Sequence, residues 1–191
     1  MVGGHAFYVF NSNKLNLVYM SRFINEEITD LQVSEDGIVF TTLLETNSIQ
    51  AWNKMHRVRT YKPMVDGLSP KILQTIVTKS FIFCLCKEGQ MTIFNTQTTE
   101  VVKQLSLKMK FTGMIHPLTY LNKLLFWDQK QIVLHNVIED EVIFQFKPFE
   151  SPIETIVQTP VLNVVAVGCR DGSIILLNLL FDEVLLTFKQ K

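Results

Sequence analysis

The chain has 191 residues, room for one ordinary domain or two very small ones. Lys plus Arg number 18 and Asp plus Glu number 18, so the formal charge is zero. That excludes a protein held on nucleic acid by bulk positive charge, and it excludes a strongly acidic solvating tail. Hydrophobic residues make up 47% against 19% charged, so a sizeable core is expected rather than disorder.

Taken in chain order, the segments read as short strands. Residues 4–20 supply two of them, Phe7–Phe10 and the stretch after Lys14. From 25 to 63 come the alternation Ile28–Val33, then Ile38–Phe40, then Ile49–Trp52, then a basic strand. From 68 to 107 the order is Ile72–Val77, Phe81–Leu85, Met91–Phe94 and a last strand. From 110 to 149 a degraded first copy, Phe111–Ile115, precedes Leu124–Phe126, Ile132–His135 and Glu141–Phe146. From 152 to 190 the series closes with Ile153–Val157, Val164–Val167, Ile174–Leu177 and Glu183–Phe188. The 14 Phe, with frequent Val and Ile, favour strands, and no window keeps a helical period.

These strands repeat. An apolar run ends in Asn at Asn11, Asn53, Asn95, Asn136 and Asn178, at spacings of 42, 42, 41 and 42. Asn is a poor strand-interior residue and a good turn starter. Six residues before each anchor stand His5, Asn47, Gly89, Lys130 and Gly172. Glu88-Gly89 and Asp171-Gly172 are the clearest turn pairs, since Gly tolerates the positive φ of a tight hairpin. A sandwich or a closed barrel would not repeat a turn and an Asn anchor at this period. The fold class is therefore all-β, built of WD40-type β-propeller blades. Four four-stranded blades are expected at 25–63, 68–107, 110–149 and 152–190, with a partial blade at 4–20, in one propeller segment over 1–191. Four blades and part of a fifth predict an incomplete ring, a fragment or one piece of a larger ring. Its remaining blades would come from further sequence or another chain.

Chemistry-bearing residues are sparse. The histidines His5, His56, His116 and His135 have no metal-ligand spacing with one another or with cysteine, so no metal and no cofactor are expected. Cys84 and Cys86 would share one face of a strand as small core residues, and Cys169 falls at a strand end, expected partly exposed. There is no Gly-x-Ser-x-Gly and no phosphate loop, and Glu26-Glu27 would point to opposite faces, so no catalytic residue is assigned. No secretory leader is visible at Met1–His5, which makes a reducing compartment the default. The most apolar stretch, Val161–Phe181, is broken by Arg170-Asp171-Gly172-Ser173 and reads as two strands, so no membrane role is expected. The densest basic run is Lys54–Lys62. Lys54, Arg57, Arg59 and Lys62 are candidates for RNA phosphate or a protein partner, with Tyr61 to stack a base. The plainer reading of the run is a solvated turn and a charge-protected edge strand.

Several stretches are similar to one family. His116–Leu125 resembles a segment of the U3 small nucleolar RNA-associated WD-repeat subunit of the UTP-B complex, part of the small-subunit processome. Pro160–Gly168, Asp171–Asn178 and Phe181–Gln190 resemble later segments of the same family, and Gly4–Val18 does so more weakly. The order is collinear and falls on the family's first propeller. Residues 40–110 match mainly through the blade pattern, and no Trp-Asp closes a blade, with Trp52-Asn53 the nearest dipeptide at such a position. The resemblance implies a non-catalytic scaffold in the nucleus and nucleolus. It would serve small-subunit rRNA processing through contacts with other UTP-B or processome proteins, with U3 small nucleolar RNA and pre-rRNA in the same assembly. The alternatives are a WD-repeat adaptor elsewhere, such as a ubiquitin-ligase receptor or coat subunit, and a catalytic propeller.

Overall fold

The computed structural model describes residues 4–117 and 119–189. Leu118, in the first resembling segment, and Gln190, at the end of the last expected blade, lie outside them. All regular structure among the described residues is β-strand apart from one 3₁₀ turn at Lys87–Gly89. The strands form one two-stranded and four four-stranded antiparallel sheets, as the blade pattern predicts. Two compact units divide the chain, one ending at Ser106 and the other starting at Leu107.

In the first unit, β1 (Tyr8–Phe10) pairs with β2 (Leu17–Met20). The next sheet runs in chain order through β3 (Ile28–Val33), β4 (Val39–Leu43), β5 (Ser48–Asn53) and β6 (His56–Tyr61). A third sheet follows, with β7 (Ile72–Val77), β8 (Phe81–Cys86), β9 (Gln90–Asn95) and β10 (Val101–Ser106). Consecutive strands joined by short turns need no crossover, so every sheet is an antiparallel meander.

Strand alternation sends each middle strand's side chains into two different cores. Ile49 and Ala51 of β5 face β7–β10 and pack with Phe40, Tyr61, Ile82, Cys84 and Phe94. Trp52 turns to the other side and packs with Phe7, Ile28, Val39 and Leu43, its indole N–H donating to Thr41 Oγ1 at 3.0 Å. A polar seam joins the inner strands. Thr75 Oγ1 donates to Asp30 Oδ2 at 2.9 Å, and the Val77 amide donates to Gln32 Oε1 at 2.9 Å. These bonds satisfy buried or half-buried polar groups that would otherwise cost about 1–3 kcal/mol each.

The second unit holds β11 (Gly113–Ile115), β12 (Lys123–Trp127), β13 (Ile132–Asn136) and β14 (Glu141–Gln145). Its other sheet is β15 (Ile153–Gln158), β16 (Val164–Cys169), β17 (Ser173–Asn178) and β18 (Glu183–Lys189). Leu125, Trp127 and Leu134 of the first sheet, with Phe146 just past β14, meet Ile153, Val165, Val167 and Leu177 of the second in one core. The degraded copy at Phe111–Ile115 has a packing cause. Gly113 pairs with Trp127, and a Cβ on Gly113 would stand 2.2 Å from the indole, so only glycine fits there.

The Asn anchors make one recurrent turn with one exception. The side-chain oxygen of Asn95 accepts the amides of Gln97 and Thr98 at 2.8 and 3.0 Å. Asn11 does the same for Asn13 and Lys14, Asn136 for Ile138 and Glu139, and Asn178 accepts the Leu180 amide. Four residues after each of these anchors the chain takes a positive φ, at Leu15, Thr99, Asp140 and Asp182. Asn53 departs from the pattern. It pairs directly with His56 across a two-residue turn, and Lys54 carries the positive φ of 54°. At the opposite hairpins, Glu88 and Gly89 are both at positive φ, and Gly172 sits at 80°.

Candidate functional site

The contact candidates Lys54, Arg57, Arg59, Tyr61 and Lys62 fall on β6 and at its two ends. Strict alternation would put Arg57, Arg59 and Tyr61 on a single face. The pairing breaks that alternation: Arg57 stands opposite Trp52 and Arg59 opposite Ala51, leaving Val58 as a bulge residue. Trp52 and Ala51 face opposite sides of the sheet. The two arginines therefore lie on different faces of the sheet.

On the Arg59 side the strand meets the turns of the neighbouring sheet. Arg59 and Val58 line a 580 Å³ cleft with Glu35, Asp36, Ile38, Phe40, Lys79 and Gln97. Both signs of charge are present. Asp36 accepts from the Ser34 hydroxyl, which is the main reason its carboxyl is held below the usual range; Arg59 adds a smaller pull.

Tyr61 does not stack a base. It is 1% exposed, its ring is edge-on to Phe94 at 5.7 Å, and its hydroxyl donates to the Thr96 carbonyl. Burial pushes the phenol above its ordinary pKa, partly offset by the neighbouring Arg59. The aromatic assigned to RNA is instead a strut between two sheets. Lys62 is exposed just past the end of β6, and Lys54 is exposed at the tip of the turn.

On the Arg57 side a second groove, of 330 Å³, is lined by Arg22, Phe23, Trp52, Met55, His56 and Arg57. No carboxylate lines it. Arg22 and Phe23 come from the connector between β2 and β3, more than thirty residues away in sequence. Their position is fixed at both ends. The Ser21 amide donates to the Phe7 carbonyl at 2.9 Å, and the Ser21 hydroxyl accepts the Phe7 amide at 3.0 Å. The Ile24 amide donates to the His5 carbonyl at 2.7 Å, and the His5 ring nitrogen lies 3.0 Å from the Ile24 carbonyl. Phe23 is 72% exposed and stacks on His5 at 5.0 Å. The forewarning in the sequence is slight: two apolar residues, Phe23 and Ile24, in a polar connector, of which Ile24 is buried and Phe23 is not.

The remaining reactive groups are embedded. Cys84 and Cys86 are buried with their sulfurs 3.8 Å apart. Contact with Cys86 and burial both hold the Cys84 thiol well above its ordinary pKa, which withholds the thiolate a nucleophile needs. Cys169, expected partly exposed at a strand end, is buried too, and burial raises its pKa. His135 is buried edge-on to Phe126 and lies 3.1 Å from Asp140. His116 lies 3.3 Å from the Leu121 carbonyl. Among the described residues no three His, Cys, Asp or Glu are grouped as metal ligands, and no helix is long and apolar enough to cross a membrane.

Comparison with known proteins bears on the whole chain. The family described as WDR36/Utp21 first beta-propeller matches residues 1–191. WD repeat-containing protein 36 of Homo sapiens is 27% identical over 193 residues, covering 98% of this chain and 21% of that protein. The U3 small nucleolar RNA-associated protein 21 homolog of Schizosaccharomyces pombe is 24% identical over 195 residues, with the same coverage of 98% and 21%. The chain thus spans about a fifth of the length of these curated relatives. Among solved structures, the crystal structure of the computationally designed Ika8 protein superposes with a TM-score of 0.70 at 15% identity. It covers 97% of this chain and 57% of its own, and that likeness bears on the fold alone.

Proposed function

The chain belongs to the WDR36/Utp21 first beta-propeller family, and on that premise we propose that it is a non-catalytic scaffold of ribosome biogenesis. Its place is the nucleolar small-subunit processome, where it supports small-subunit rRNA processing through contacts with other UTP-B proteins. U3 small nucleolar RNA and pre-rRNA belong to the same assembly. The observation that carries this reading is the family match over all 191 residues, joined by a curated relative whose name includes U3 small nucleolar RNA.

The surface chemistry supports a part built to be packed against. On the outer face of β15–β18, Val157, Ile174, Leu186 and Phe188 are each about half exposed and lie on paired strands. On β1–β2, Tyr8, Phe10, Leu17 and Met20 are likewise about half exposed. Apolar sheet faces of this kind are normally covered in a soluble protein. Further blades or partner proteins cover them in the proposed assembly, with residues 1–191 acting as one propeller segment.

The test is affinity purification of the tagged protein from its native cells, with sequencing of the recovered RNA and identification of the proteins. The proposal predicts enrichment of U3 RNA and small-subunit rRNA precursor together with UTP-B proteins. Recovery of proteins without those RNAs would overturn it and leave a propeller adaptor of another complex.

A further inference from the structure

We propose that the groove formed by Arg22, Phe23, Trp52, Met55, His56 and Arg57 is a binding site for a single strand of RNA. Phe23 stacks a base, and Arg22 and Arg57 engage the flanking phosphates. Four observations converge on this. The groove carries cationic side chains and no carboxylate, unlike the mixed-charge cleft on the other side of β6. Neither arginine has an ion-pair partner among the described residues. The Phe23 ring is packed against His5 on one side and is otherwise open, at 72% exposure. The connector that carries Arg22 and Phe23 is pinned at Ser21 and Ile24 to the backbone of His5 and Phe7.

A flat ring next to unpaired guanidinium groups is the arrangement that holds single strands without reading their sequence. Stacking supplies the affinity per base and the cations supply the phosphate contacts. An acidic peptide would use the arginines but would have no need of an open ring. Pinning the ring beforehand removes much of the ordering cost of binding. The net charge of zero is consistent with this, because only two or three phosphates are neutralised locally. The chemistry selects single-stranded nucleic acid; that it is RNA rests on the ribosome-biogenesis reading above.

The experiment is fluorescence anisotropy of the full chain with a labelled oligouridine of about twelve nucleotides at low salt. Phe23→Ala is expected to weaken binding about tenfold, from the loss of one base stack. Phe23→Leu should weaken it as much, and Phe23→Trp should restore it, which a merely apolar contact would not require. Arg22→Gln should flatten the salt dependence by a slope of about 0.7, one phosphate's share. Thermal unfolding of each variant should match the native chain, because these side chains are exposed. Absence of oligouridine binding by the native chain would overturn the proposal, as would undiminished binding by Phe23→Ala or equal binding by the Leu and Trp variants. Displacement by polyglutamate as effective as by unlabelled oligouridine would also overturn it, in favour of an acidic-peptide site. Binding as predicted, with no U3 RNA recovered from cells, would sink the functional reading and leave the groove standing.

Discussion

The hairpins β5–β6 and β9–β10 start from the same sequence signal and end differently. Both follow an apolar strand that closes in Asn, 42 residues apart. At β9–β10 the Asn95 side chain caps a longer loop, and the chain returns through Glu100, whose carbonyl accepts the Asn95 amide. At β5–β6 the loop is only Lys54-Met55, and no such cap forms. The shorter loop starts β6 at once with His56 and Arg57; β6 then carries a bulge at Val58, as β10 does at Val102. The bulge in β6 decides the chemistry. It sends Arg57 toward the Phe23 groove and Arg59 toward the Asp36 cleft. The anchor and the bulge are thus both repeated, and what differs is the turn and the residues the bulge aims: Arg57 and Arg59 in β6, Val101 and Lys103 in β10.

The largest effect on this comparison should come from the residue that ties the two hairpins together. Tyr61→Ala removes a fully buried ring and the hydroxyl that reaches Thr96 at the tip of β9–β10. A loss of about 3–5 kcal/mol is expected in denaturant unfolding. Tyr61→Phe should cost about 1 kcal/mol, since it leaves the Thr96 carbonyl without that donor. A Tyr61→Ala variant as stable as the native chain would mean that the ring is not the strut described here.

The turns themselves come next. Asn95→Ala should cost about 1 kcal/mol, from two amides losing their acceptor. Asn53→Ala should cost much less, because its side chain makes no such bonds. Equal losses would erase the distinction between the two hairpins. Replacing the strained positions by glycine sharpens it further. Thr99→Gly and Lys54→Gly both relieve a positive φ, by up to about 1–2 kcal/mol, and the β-branched Thr99 should gain more in a thermal melt. Gly172→Val is the converse. Nothing crowds its Cβ, so a loss of about 1–3 kcal/mol would measure backbone strain alone.

The smallest effect concerns pH. The Asp36 carboxyl is held below its ordinary value, chiefly by the Ser34 hydroxyl. A depressed folded pKa contributes stability above the unfolded value and loses it as pH falls through the folded one. Acid titration of stability should therefore show a slight loss below the usual carboxylate range, absent in Asp36→Asn. Because the group is exposed, the loss should be near the limit of detection.

The blade pattern was legible because Asn anchors and period-2 alternation are local signals. Cys84 and Cys86 sharing a face follows from the same alternation. What was not legible depends on pairing across strands. A bulge at Val58 is chosen by how β6 registers on β5, so the faces of Arg57 and Arg59 could not be read from spacing. Tyr61 looked available beside basic residues, yet its burial comes from a different sheet. Arg22 and Phe23 reach Arg57 only through bonds to His5 and Phe7, which no short window contains. The weak copy at Gly113 looked like decay of the repeat and is a fitted contact with Trp127.

The division of β6 into two chemically different sides is tested most directly by measuring oligouridine affinity for Arg57→Gln and Arg59→Gln side by side. Each substitution removes one charge from the same strand, two residues apart. Arg57→Gln should weaken binding severalfold, and Arg59→Gln should leave it at the native value. Equal losses from the two would contradict the account, because they would return the basic strand to a single undivided patch.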